Sequence, residues 1–326
     1  MQVGFPLLLG AAILLWTYHG FDFAHLWRVS ARGIGYGWMA FSLLFGVLAH
    51  VLRGWRWNLA LAPLGEFPRR STSVYAVFVA YAANLVLPRV GEVSRCGILS
   101  RYDGVSFAKS LGTVVTERVI DSACVLLITA VTLLVQSSTF SAFFRQTGTD
   151  GAFFLRLFTT TNFYITVVCL VAVAVLGVWL VRNLTLFGRL RGLLQGIWQG
   201  CLSIRQVRRP WLYLIYTAAI WTCYFFHFYL TFYCFPFTEG LGWAAGLALF
   251  VAGSIAVIVP TPNGAGPWHF VIITLMMMFG ISKEDAGIFA LLVHGIQTLL
   301  LILLGIYGLV ALPLSYRLST PKKTVL

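Results

Sequence analysis

The chain is poor in charge, and poorest in negative charge. Charged residues make up 10% of its 326 positions, and only 10 residues are Asp or Glu. Soluble domains average about 25% charged residues, so a water-facing globule is excluded. Cysteine is scarce too. The six Cys, at 96, 124, 169, 201, 223 and 234, form no Cys-x-x-Cys and no framework of short spacings, which argues against a zinc site and a disulfide scaffold. They read as small core residues. His50, His227, His269 and His294 lack the spacing of metal ligands. No Ser/His/Asp order, phosphate-cradling Gly loop or paired-carboxylate cleft of the soluble type is recognisable. The reading therefore assigns no catalytic residue, no metal and no cofactor. The first apolar run follows Met1-Gln2-Val3 with no basic segment and no clear cleavage site, so it reads as a membrane helix rather than a signal peptide.

What the chain has in abundance is apolar surface: 59% hydrophobic residues and a mean hydropathy of +0.86. Apolar runs fall at about 3–19, 34–52, 72–88, 119–136, 163–181, 211–234, 241–259, 267–281 and 286–312. Several approach the roughly 20 residues a helix needs to cross the hydrocarbon core. Strands of a membrane barrel would alternate in polarity over about 10 residues, and these runs do not. The expected fold is all-α: a polytopic helical membrane bundle of about eight transmembrane helices plus re-entrant segments, in one domain over 1–326. A net charge of +13 is explained by Lys and Arg in short loops, as the positive-inside rule expects. No basic face with interleaved aromatics stands clear of the apolar runs, so nucleic acid is not an expected partner.

Loop charge orients the bundle. Residues 53–70 carry Arg53, Arg56, Arg69 and Arg70; residues 182–209 carry six Arg; the tail carries Arg317, Lys322 and Lys323. These stretches, and both termini, are expected on the cytoplasmic side, and the Arg-poor stretch 137–162 outside. A parity problem follows. Two apolar runs, 72–88 and 119–136, lie between 53–70 and 137–162, yet an odd number of crossings is required. The run 72–88 is short and ends in Leu87-Pro88-Arg89 with Gly91 behind it. It is therefore expected to enter the membrane and turn back, which implies a cavity, because irregular backbone at membrane depth needs protein or water around it.

A second break stands at Val259-Pro260-Thr261-Pro262-Asn263-Gly264-Ala265-Gly266-Pro267-Trp268-His269. It is either a loop between ordinary helices or the partner of the first break, about 170 residues away, in the paired-break pattern of transporters. No residue-level repeat supports the pairing. Residues 18–33 and 185–204 read as amphipathic helices lying in the interface. Arg53-Gly54-Trp55-Arg56-Trp57 reads as an interfacial anchor with its Arg side chains snorkelling outward. Gly242-Trp243-Ala244-Ala245-Gly246 matches a small-residue packing pattern. The sequon at Asn183 is placed on the cytoplasmic side and read as chance.

Charge concentrates in one window. Four of the ten acidic residues (Glu92, Asp103, Glu117, Asp121) and five basic ones (Arg89, Arg95, Arg101, Lys109, Arg118) fall between 89 and 121. Ionisable groups at bilayer depth cost about 2.5–3.5 kcal/mol each on insertion scales, so they pair, and they commonly serve function. On a helix, Arg89, Glu92 and Arg95 fall within reach of one another, and Glu117 and Asp121 stack at i, i+4 with Arg118 beside them. Two readings fit: an ion-pair knot locking two helices, or a polar cavity in which Arg, whose planar fork suits phosphate, holds a headgroup.

The patterns Asn84-Leu-x-Leu-Pro-x-x-x-Gly-Glu-x-x-Arg95, Thr113-Val-Val-Thr-Glu-Arg-x-x-Asp121 and Pro260-x-Pro-x-Gly-x-Gly266 resemble the lysylphosphatidylglycerol synthase transmembrane-region family, over essentially the whole chain. The resemblance implies a flippase-like protein of a bacterial or archaeal inner membrane that helps a polar lipid between leaflets. In the best-known members this region is fused to a soluble aminoacyl transferase; none is expected here. Trp268-His269 stands where the family often places an acidic residue. The expected substrate-binding set is Asn84, Arg89, Glu92, Arg95, Glu117, Arg118 and Asp121, faced by Asn263, Gly264, Gly266 and His269. The expected partners are a membrane lipid, and further copies of the chain or a lipid-modifying enzyme. An alternative is a membrane-embedded transferase on a phospholipid or isoprenoid phosphate, with a carboxylate as base; a third is a non-transporting subunit.

Overall fold

The computed structural model describes residues 4–31, 33–136, 188–259 and 261–319. The expectations for 137–162, for the run 163–181 and for Asn183 lie outside them, as does Pro260. The described residues are helical, with no strand among them. The helices are α1 (Gly4–Thr17), α2 (Phe23–Ala31), α3 (Tyr36–Leu61), α4 (Arg70–Val86), α5 (Val90–Asp103), α6 (Phe107–Val135), α7 (Gly188–Leu202), α8 (Pro210–Tyr229), α9 (Trp243–Ala256), α10 (Pro267–Met278) and α11 (Lys283–Ser319). Three stretches, Tyr36–Leu64, Phe107–Val135 and Lys283–Tyr316, are long and apolar enough to cross a membrane. Helix α8 runs antiparallel to α3. Tyr213 clusters with Ala60, Ile220 with Ala49, and the ring of His227 meets the Ser42 carbonyl at 2.8 Å.

Between the long helices stand two hairpins. Helix α4 has 17 residues and α5 has 14, about 25 and 21 Å at 1.5 Å per residue, against a hydrocarbon core of about 30 Å. Pro88 explains the turn: the residue before a proline is pushed out of the helical region, and Leu87 sits at φ −134°, ψ 115°. The arms press together at Gly91, where a Cβ would collide with the carbonyl of Ala80. Their feet are tied at one level. Arg69 pairs with Asp103 at 2.7 Å, Lys109 with Glu66 at 3.1 Å, and the Ser106 N–H donates to Glu66. The chain thus returns to the end it left, as the re-entrant expectation for 72–88 requires. Helix α6 carries it to the opposite end, where the Gln136 amide donates to the carbonyl of Ala244.

The second hairpin, α9–α10, has arms of 14 and 12 residues that pack on each other, with Gly253 against Trp268. It begins at the opposite end of the bundle. The loop before it lies beside the start of α3, whose Gly35 N–H donates to the Cys234 carbonyl at 2.9 Å. Helix α11 then runs back toward the first hairpin's foot, where Arg69 donates to the Ser315 carbonyl. The order long helix, hairpin, long helix therefore occurs twice with opposite direction: α3, α4–α5, α6 and α8, α9–α10, α11. Apolar runs and crossings are not in one-to-one relation, because 72–88, 241–259 and 267–281 are hairpin arms.

Residues 18–33 contain α2 and 185–204 contain α7, as periodicity predicts. Helix α7 packs lengthwise on the first half of α6, however, rather than lying apart in an interface. Gly200 and Gly112 approach so closely that a Cβ on either would strike the other's backbone. Gly192-x-x-x-Gly196-x-x-x-Gly200 is the pattern behind this, a small-residue repeat suited to close helix packing. Gly246, by contrast, meets the ring of Tyr229.

Candidate functional site

Five of the window's nine charges, Glu92, Arg95, Glu117, Arg118 and Asp121, fold into one largely buried knot, while Asp103 and Lys109 pair at the feet and Arg89 and Arg101 are exposed. Helix α6 supplies Glu117 and Asp121, one turn apart on its inner face. Glu117 takes Arg95 of α5 at 2.7 Å and Arg56 of α3 at 3.4 Å. Asp121 takes Arg53 at 2.7 Å, Arg56 at 3.0 Å and Arg118 at 3.2 Å. Glu92 stands 3.8 Å from Arg118. Arg56 and Glu117 are wholly buried, and Arg53 and Arg95 nearly so. Arg56 also donates to Thr217 of α8, Arg53 to Tyr224, and Arg95 lies 4.5 Å over the Trp57 ring. The knot thus ties α3, α5, α6 and α8 together.

Arg53 and Arg56 correct the anchor reading of Arg53-Gly54-Trp55-Arg56-Trp57: the two guanidinium groups point inward, and Trp57 is buried against them. The missed signal is spacing. Arg53, Arg56 and Trp57 fall at i, i+3, i+4, one face of a helix, a pattern that fits a shared inward face as well as an interfacial anchor. The completed knot holds four guanidinium groups against three carboxylates, one positive charge in excess. Arg56 Nε, Arg118 Nε and Glu92 Oε2 are buried with no hydrogen-bond partner among the described residues. Such atoms are uncommon in folded proteins and require an explanation. Arg118 and Glu92 form the half-open edge of the knot, with side chains 43% and 23% exposed.

The hairpin tips carry the other predicted residues. Arg89 is exposed at the first tip, with no ion pair among the described residues. Asn84 closes that tip, its side-chain oxygen accepting the Gly91 N–H at 2.8 Å. Asn263 holds the second tip, donating to Thr298 of α11 at 3.1 Å, while its carbonyl meets His294 at 3.2 Å. Gly264 and Gly266 take φ of 72° and 93°, backbone that only glycine adopts without strain. His269 sits one turn into α10, its ring 4.6 Å from that of His294. Among the described residues, Arg89 and Asn263 are the two non-glycine residues with positive φ, at 68° and 51°. Each such placement costs about 1–3 kcal/mol and persists where the surrounding structure enforces it, commonly at functional sites.

No ion pair or hydrogen bond among the described residues joins the knot to the second tip. A file of neutral polar groups lies between them. Tyr224, bound to Arg53, meets Tyr81 at 3.1 Å; Tyr81 faces the His50 ring at 4.2 Å; Gln297, beside Thr298, donates to the His227 carbonyl at 3.2 Å. The first arm α4 also contacts the 262–264 turn.

Long helices bracketing two opposed hairpins of shorter helices, with a buried arginine–carboxylate knot beside one of them, define a polytopic helical membrane protein built around an internal polar region. The lysylphosphatidylglycerol synthase TM region family model matches residues 4–305, and the chain belongs to that family, a membrane-domain family associated with lipid-related functions. No curated protein matches the chain, and no solved structure does.

Proposed function

We propose that the protein is a lipid flippase or transporter, moving a polar lipid with an anionic or phosphate-bearing headgroup between membrane leaflets. The supporting observation is the knot's excess of one cation, presented at its half-open edge by Arg118 and continued to the hairpin tip by Arg89. Arg118 is 43% exposed and Arg89 is exposed, so an anion can reach both, and arginine's planar fork is suited to phosphate. Opposed broken helices in corresponding positions of two inverted halves are the arrangement in which transporters bind substrate. In this reading Glu92, Glu117 and Asp121 orient the guanidinium groups, Arg89 receives the headgroup at the tip, and the acyl chains stay in the lipid beside α4 and α5. The membrane is the cytoplasmic membrane of a bacterium or archaeon, with the feet of the first hairpin inside.

The test is reconstitution of the purified chain into phosphatidylcholine vesicles carrying labelled phosphatidylglycerol, with exchange followed by quenching of the outer leaflet. Exchange should rise above that of empty vesicles and fall with Arg89→Ala and Arg118→Ala. No exchange across a panel of anionic lipids would sink the reading.

A further inference from the structure

We propose that the lipid's phosphate carries a neutral, hydroxylated group, a polyol or a sugar, and that the uncharged side chains beyond the arginine knot recognise it. The inference rests on the lipid-transport reading and names its substrate class. Tyr81 of α4, Tyr224 of α8 and Gln297 of α11 are half-buried, so a headgroup can reach them. The hydroxyls of Tyr81 and Tyr224 meet at 3.1 Å, and Arg53 donates to that of Tyr224 at 3.3 Å. One hydrogen bond joins the two phenols. Whichever way it runs, one phenolic proton is left without an acceptor among the described residues. The ring of His50 lies 4.2 Å from that of Tyr81; it is buried, and its Nδ1 has no hydrogen-bond partner among the described residues. Gln297 donates its amide nitrogen to the His227 carbonyl, one turn beyond Tyr224 on α8 and about 5 Å along the helix. Asn263 donates its own to Thr298. Both amide oxygens are left without a partner among the described residues.

These groups are neutral and mixed in sense: a spare O–H stands in one file with spare amide oxygens. A hydroxyl both donates and accepts, so a group bearing several of them satisfies both kinds at once. An ammonium only donates, and its charge needs a counter-ion when it leaves water. Beside the file, among the described residues, none is free. Glu117 and Asp121 are each shared between arginines. Glu92 Oε2 has no hydrogen-bond partner, but it belongs to the carboxylate beside Arg118, in a knot that already holds one cation in excess. The aromatic faces are taken as well. Arg53 lies 6.0 Å from the Tyr81 ring centroid and 5.7 Å from that of Tyr224, and it repels a second cation drawn to either ring. Recognition is thus divided: guanidinium groups take the phosphate, neutral groups take what the phosphate carries, and a cationic headgroup finds no partner.

The test uses the full chain in phosphatidylcholine vesicles with one acyl-labelled lipid at a time: phosphatidylinositol, phosphatidylglycerol, phosphatidic acid or lysyl-phosphatidylglycerol. The first two should exchange about tenfold faster than phosphatidic acid, the worth of one or two hydrogen bonds, and the lysyl lipid no faster than phosphatidic acid. Tyr81→Phe with Gln297→Leu removes one phenolic hydroxyl and one amide, and should bring the ratio of phosphatidylinositol to phosphatidic acid exchange toward one. Thermal unfolding in detergent gives a readout independent of transport. Short-chain phosphatidylinositol should raise the unfolding temperature of the wild-type protein more than short-chain phosphatidic acid does, and the double variant should erase the difference. Equal exchange of phosphatidylinositol and phosphatidic acid overturns the headgroup assignment and leaves lipid transport standing. Fastest exchange of the lysyl lipid does the same, and so does a ratio unmoved in the double variant. Absence of exchange for every lipid overturns the transport reading and the assignment with it.

Discussion

The two hairpins share an architecture and differ in chemistry. Each is a pair of helices too short to cross, broken by Pro and Gly, with one non-glycine residue forced to positive φ at its tip. The first is lined by Arg89, Glu92 and Arg95 and backed by Glu117, Arg118 and Asp121. The second carries no permanent charge and is set in an aromatic core of Phe228, Phe232, Phe250, Trp268 and Phe289. Guanidinium groups stay charged at any physiological pH, so the first hairpin is a constant field for an anion. The second offers an anion no fixed charge, only the partly buried neutral contacts of Asn263 with Thr298 and His294. The difference is one of charge, set within one repeated frame: ionic at the first hairpin and apolar at the second.

Breaking the knot should give the largest effect on that contrast. Asp121→Ala leaves Arg53 and Arg56 short of a counter-charge, and losing one partner of a buried ion pair costs about 3–5 kcal/mol. Thermal unfolding in detergent should show a large loss, whereas the same measurement on His269→Gln should show a small one. If Asp121→Ala is as stable as wild type, the knot is not the buried network described. Next comes Gly200→Leu, which wedges α7 from α6. Overpacking of this kind costs about 1–3 kcal/mol and should release α7 to proteolysis without altering the first hairpin.

Arg89→Gly sharpens the comparison, because stability and function should move in opposite directions. Relief of the left-handed backbone should stabilise by about 1 kcal/mol, while loss of a charge-assisted contact of about 1.5–3 kcal/mol should slow exchange of an anionic lipid tenfold or more. An Arg89→Gly protein with undiminished exchange would remove the tip from the headgroup path. Asn263→Gly should give the smallest change. The same relief of strain is offset by the lost bond to Thr298, about 1 kcal/mol, and the unfolding temperature should barely shift.

Much of this was legible in particular residues. Leu87-Pro88 with Gly91 marked the first turn because proline acts locally, whereas the loop-charge count behind the parity argument included Arg53 and Arg56, which lie buried within α3. Glu117 and Asp121 announced a shared face by their i, i+4 spacing. Arg53 and Arg56 were misread because Trp-flanked arginine has the same composition at an interface as in a buried pair; the acceptors on α6 that decide between the two are more than 60 residues away in sequence. The inverted halves stayed one of two open readings for a similar reason. The helix order repeats, but charged residues on one hairpin are answered by aromatic and small ones on the other.

Sequence alone determined that the protein is a helical membrane bundle, that its helices break at Pro88 and in the 262–267 segment, and that its scarce acidic groups must be neutralised. Those outcomes depend on hydrophobicity, backbone stereochemistry and desolvation, which act residue by residue. Which cations neutralise them, that the two breaks point at each other from opposite ends, and that His269 comes to lie against His294 were decided by the tertiary structure. Each depends on a contact between distant segments, and such contacts exist only once the long helices have packed.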